Sequence, residues 1–137
     1  MITKEFEEVI LNDVLRGDTS GLPENYYLGL CSNREVSREM TLSDITEVSG
    51  DGYGRLAAPR TAIGWLDVEE QTDCLSIRSQ QVTFYPTGDW TPFSRMFLTD
   101  ASSGTEGKLL AVSSPLPTEV SLTADQTYPV AFEFYLK

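Results

Sequence analysis

The chain has 137 residues, 40% of them hydrophobic, a length and composition that suit one packed domain and exclude a disordered chain. Its 10 basic residues stand against 21 acidic ones, a formal net charge of −11. No cluster of Lys and Arg breaks that excess, which argues against nucleic acid as a direct partner and against adhesion to anionic membranes. Histidine is absent, and with it Ser-His-Asp and Cys-His catalysis and most zinc sites.

The N-terminus predicts a docking helix over residues 3–16. Phe6, Val9, Ile10 and Val14 recur at spacings of three and four and share one face. Thr3 is placed to cap it, Glu5, Glu7 and Glu8 lie near the positive end of its dipole, and Gly17 can end it in a left-handed conformation. A helix this short needs tertiary support, so its apolar face must dock on the domain's sheet or on a neighbour. The acidic residues of this segment do not suit a signal peptide, and no apolar run approaches the ~20 residues that span a bilayer. Synthesis in the cytoplasm is the expectation.

Asp18 to Asn25 is turn-like, and YYLGLC (Tyr26–Cys31) reads as a strand. Ser32 to Ser43 is a polar loop leading into a helical turn around Leu42 to Ile45. SGDGYG (Ser49–Gly54) is a turn, since it lacks the Lys and Ser/Thr of a phosphate-binding loop. Strands are then expected at Tyr53–Pro59, at Cys74, Leu75 and Ile77, at Val82, Phe84 and Tyr85 up to Pro86, around Met96 and Leu98, at Leu109–Val112, and around Val120 and Leu122. Val130, Phe132, Phe134 and Leu136 alternate with Ala131, Glu133, Tyr135 and Lys137, the period of a half-buried final strand. Short strands separated by turns predict a mainly β chain. The expected form is a single antiparallel β-sandwich (jelly-roll-like) over residues 1–137, with a short N-terminal α-helix.

Candidate chemistry is sparse. Asp67, Glu69, Glu70 and Asp73 form the densest acidic group; a solvated loop face is the leading reading, ahead of a weak calcium site or a carboxylate pair for acid–base work. Cys31 and Cys74 are 43 positions apart and form no metal motif; they read as small buried hydrophobes, with a disulfide left open. Trp65 and Trp90 sit beside Gly64, Gly88 and Pro92, where a large ring can either pin a loop or anchor a contact. No catalytic, metal or cofactor-binding residue is assigned. The candidate interface is Phe6, Val9, Ile10, Val14, Trp65, Trp90, Phe134 and Leu136.

Several segments, in order, carry a family resemblance: FEEVILNDVLRG (Phe6–Gly17), YYLGLCSN (Tyr26–Asn33), LSDITEVSGDGYGRLA (Leu42–Ala57), QVTFYPTGDWTPFSRMFLTDASSG (Gln81–Gly104) and KLLAVSSPLPTEVSLTADQTYPVAFEFYLK (Lys108–Lys137). The most specific piece is EVSGDGYGR (Glu47–Arg55), followed by TFYP with Asp89-Trp90 shortly after. Together they resemble small tailed-phage virion structural proteins, described as tail-fibre-like or capsid decoration proteins. Asn33–Met40 is more charged than that pattern, and Ala58-Pro59-Arg60 departs from its apolar strand. The resemblance implies a non-enzymatic virion protein without cofactors. Its first expected role is a capsid decoration or cement subunit on the outer surface of the head. A tail, baseplate or fibre-attachment component is the alternative. A carbohydrate-binding β-sandwich is the second, requiring Trp65, Trp90 and Tyr53 exposed on one face. Expected partners are the major capsid protein or other virion proteins, and further copies of the chain in a homo-oligomer.

Overall fold

Leu28, Gly29, Leu30 and Cys31 are consecutive and all buried, so the strand they belong to must be covered on both faces. That strand, β1 (Asn25–Cys31), is central in an antiparallel four-stranded sheet with β2 (Leu56–Pro59), β6 (Arg95–Thr99) and β7 (Leu109–Val112), in the order β2-β1-β6-β7. The computed structural model describes residues 1–18 and 21–136. The other described strands form a three-stranded sheet of β3 (Glu69–Glu70), β4 (Leu75–Arg78) and β9 (Glu133–Leu136), and a two-stranded one of β5 (Val82–Phe84) and β8 (Tyr128–Val130).

The main sheet has two working faces. Leu28, Leu30, Met96, Leu98 and Ala111 point to one, where Phe84, Val130 and Phe132 from the smaller sheets meet them. On the other face Cys31, Phe97, Leu109 and Val112 are covered by Met40, Leu42 and Ile45 from the loop after β1. The protein is thus mainly β and layered like a sandwich, with its second layer divided between two small sheets. An irregularity in β7 lets Leu109 keep its place opposite Thr99 while Leu110 turns to the first face.

Gly29 pairs with Phe97 across the main sheet. A Cβ there would lie 2.3 Å from Phe97 Cζ. The ring occupies the space that any other residue would need.

The N-terminal helix forms with Thr3 as its cap: Thr3 Oγ1 accepts from the Phe6 amide at 3.3 Å. The same hydroxyl contacts the Leu109 and Leu110 carbonyls, so the cap also fastens the helix to β7. Here the expected regular helix is corrected. Residues Lys4–Val9 are α-helical (α1), but Ile10–Leu15 continue as a π-helix. The wider turn breaks the 3.6-residue stripe, and Val14 ends 71% exposed instead of docked. Gly17 does take the left-handed conformation, with φ +74°.

The strand expected around Val120 and Leu122 is reduced to a single bridge from Val120 to Phe93. The expected final strand is divided. Between β8 and β9 the chain changes sheets at Phe132, whose amide and carbonyl are held by Ser79 Oγ and Ser79 N, each at 2.8 Å. The period of two survives this crossing, but burial fades along it: Val130 and Phe132 are buried, Phe134 half-buried and Leu136 55% exposed. Lys137 lies outside the described residues.

Candidate interaction surfaces

The EVSGDGYGR segment folds into a lock on the main sheet. Glu47 bridges to Cys31 at the end of β1. Its carboxylate receives two bonds from the Arg55 guanidinium, from Nε at 2.9 Å and Nη2 at 2.8 Å, and a third from the Tyr53 hydroxyl at 2.7 Å. Tyr53 Oη in turn accepts from the Leu30 amide at 3.1 Å. The Arg55 side chain, 3% exposed, also reaches the Ala101 and Gly104 carbonyls and lies 5.3 Å from the Phe97 ring centre. Burial, aided by the Glu47 charge, raises the Tyr53 phenol above its ordinary value.

The glycine turn packs against Thr87–Thr91. Thr91 N donates to the Ser49 carbonyl at 2.9 Å, Thr87 N to that of Asp51 at 3.0 Å, and Trp90 Nε1 to the same Asp51 carbonyl at 2.8 Å. A Cβ on Gly50 would meet Trp90 Cδ1 at 2.4 Å, and its φ of +152° disfavours other residues as well. The two most specific sequence segments therefore hold each other in place.

This lock corrects the reading of Trp90 as a surface anchor. Trp90 is 4% exposed and packs edge-on to Tyr53 and Phe84, with ring centres 5.2 and 5.9 Å away. With Trp90 buried and Tyr53 committed to Glu47 and Leu30, the three-aromatic platform required for sugar stacking is not formed. The acidic group keeps its leading reading, a solvated face. Asp67, Glu69, Glu70 and Asp73 are all exposed, and no three acidic or Cys side chains among the described residues are placed to share a cation. Cys31 is buried and Cys74 half-buried, and both are free thiols. Burial pushes the Cys31 thiol up to about 11.

Other candidates do converge. Phe6 of α1 lies 5.7 Å from the Phe134 ring, Phe134 lies 6.0 Å from Trp65, and Trp65 stands edge-on to Tyr26 at 6.3 Å. Val9 and Ile10 are half-buried on the same helix. Around this aromatic row lies an apolar recess of about 410 Å³, lined by Tyr26, Trp65, Leu66, Ile77, Leu98 and Phe134 among others. The buried Trp65 Nε1 has no hydrogen-bond partner among the described residues. Several large apolar side chains nearby in the chain are exposed: Leu11, Val14 and Leu15 after α1, Ile63, Leu66 and Val68 around Trp65, and the cross-strand pair Leu75 and Leu136. Sequence reasoning missed Leu11, Leu15 and the residue 63–68 group. The first two fall outside an α-helical stripe, and the others sit in a loop with no period to read.

A second opening, about 800 Å³, runs between β9 and the N-terminal residues that border β7. Met1 and Val112 exchange backbone hydrogen bonds and Thr3 N donates to Leu110 O, so residues 1–3 cover the outer edge of β7. Arg95 also lines the opening. It is 9% exposed, and its guanidinium donates to the carbonyls of Asn33, Arg34 and Ser113 at 2.9 to 3.0 Å.

Among the described residues no helix is long and apolar enough to cross a membrane. The family model described as Podophage GP4 fiber I protein gp80 matches residues 1–132. No curated protein matches the chain.

Proposed function

Because the chain belongs to this podophage fibre protein family, we propose that it is a structural subunit of the phage's fibre or tail apparatus and works by contact, without catalysis. The observation that carries this reading is the apolar flank around Phe6, Trp65 and Phe134. Leu66 lines the recess beside that aromatic row and Leu136 shares a strand face with Phe134, and exposed apolar groups of this kind are a mark of an assembly surface. A neighbouring virion protein or a second copy of the chain would cover that flank. The family's description favours the fibre over the head-decoration role placed first by the sequence. Shell-stabilising clamps and fibre subunits both use such surfaces, so copy number is the discriminating quantity. Gel densitometry of purified particles against the major coat protein should return a few to a few dozen copies per particle. Hundreds of copies would return the protein to the head surface.

A further inference from the structure

We infer, resting on the assembly reading of the flank around Phe6, Trp65 and Phe134, that its partner is an apolar segment flanked by lysine or arginine on another protein. The docking site is the uncovered end of the β3-β4-β9 sheet together with the recess beside it.

The register sets out the face. Residues directly opposite on paired strands point to the same side, and alternate residues along a strand share it. Ile77 pairs with Phe134, and in the next row of that face Glu70, Leu75 and Leu136 stand side by side. The Ile77–Phe134 row is partly covered, since Phe6 and Trp65 both pack on Phe134, with ring centres 5.7 and 6.0 Å away. The outer row is bare: Leu75 and Leu136 are each more than half exposed. Leu66, also exposed, lines the recess with Ile77 and Phe134. An apolar strip therefore runs from the recess onto the outer row.

Charge names the occupant. Asp67 lines the recess and Glu70 ends the outer row, and both are exposed. Tyr26 also lines the recess; burial raises its phenol, and the charges acting on it are those of Arg60, Asp100 and Asp13. Asp13, Asp67, Glu70 and Asp100 thus lie around the strip, with Arg60 as the cation beside them. None of these carboxylates is in an ion pair among the described residues, where Arg38 takes Glu7 and Glu39, and Arg55 takes Glu47. Uncancelled carboxylates bordering apolar side chains steer a cationic partner to the strip and disfavour an anionic one. A second copy meets the wrong field, because a two-fold contact would set these carboxylates against themselves on a chain of net charge −11.

The test uses the full chain and three fluorescein-labelled, end-blocked peptides. One has a run of leucines between lysine pairs, one the same run between glutamate pairs, and one a run of serines between lysine pairs. The leucine–lysine peptide should bind about tenfold or more tightly than either of the others, and less tightly as salt is raised. Leu75→Ser with Leu136→Ser should weaken it about tenfold, and Asp67→Asn with Glu70→Gln by about as much. All four side chains are exposed, so neither pair of substitutions should disturb the fold. Glu119→Gln with Asp125→Asn removes the same charge from exposed positions outside the strip and should leave binding nearly unchanged. Equal losses from the two charge-removing pairs overturn the siting and leave only attraction to net charge. Equal binding of the lysine- and glutamate-flanked leucine peptides overturns the basic partner while sparing the flank as an apolar contact. No binding of the leucine–lysine peptide at millimolar concentration overturns the site. Self-association that Leu75→Ser with Leu136→Ser abolishes would give the face to a second copy and likewise overturn the proposal. Copy number per particle, which tests the fibre reading, is untouched by any of these results.

Discussion

Tyr53 places one hydroxyl between a carboxylate and a backbone amide of the central strand, so its loss strands the buried Leu30 amide and takes one bond from the half-buried Glu47 carboxylate. Tyr53→Phe should cost about 1–3 kcal/mol in urea melts, and Glu47→Gln on the order of 2 kcal/mol by leaving the buried Arg55 short of its anion. The tryptophans should divide. Trp90→Phe gives up a satisfied indole bond, whereas Trp65→Phe removes a donor that has no partner among the described residues. Trp65→Phe should therefore be the milder change by about 1 kcal/mol. Alkaline titration reads the same core. Cys31 and Tyr53 both have raised values when folded, so the unfolded chain ionises first. Their contribution is complete below the thiol's ordinary 9.0 and falls as pH rises through about 11. Melts across that window should show stability declining, with a shallower decline in Cys31→Ala. In the native protein a thiol reagent should label Cys74 well before Cys31.

At the scale of elements, the β1–β6 pair depends on an absent side chain. Gly29→Ala would drive a methyl into the Phe97 ring and should destabilise by about 1–3 kcal/mol, read by thermal melting. The helix depends on Thr3 in two ways, as its cap and as its anchor on the β7 carbonyls. Thr3→Val should cost about 1–2 kcal/mol and loosen α1, seen as faster amide exchange over Lys4–Val9. Most strands were legible because their apolar residues alternate or run together between Gly and Pro signals. The π-helical continuation was not: nothing in Ile10–Leu15 distinguishes it locally from an α-helix. The division of the last strand was hidden for a similar reason, since alternation carries through Phe132 while the pairing partner changes.

For the whole molecule, the exposed apolar residues after α1 and around Trp65 bear on assembly rather than on stability. Leu11→Ser, Val14→Ser and Leu15→Ser together should leave stability nearly unchanged, because these side chains are exposed in the isolated chain. They should abolish self-association in sedimentation or incorporation into particles. A triple variant that assembles normally would count against the flank as a contact surface.

Composition and pattern alone determined the β architecture, the capped N-terminal helix and the family resemblance. These follow from local rules: alternation, capping chemistry and turn residues act over a few positions. They also marked EVSGDGYGR as specific without showing that its Glu47, Tyr53 and Arg55 close on one another. Tertiary structure alone decided that Trp90 belongs to the core, that Phe6, Trp65 and Phe134 meet, and that Arg95 is buried against three backbone carbonyls. Each of these depends on residues distant in sequence being brought together, and burial is a property of that meeting rather than of the residue.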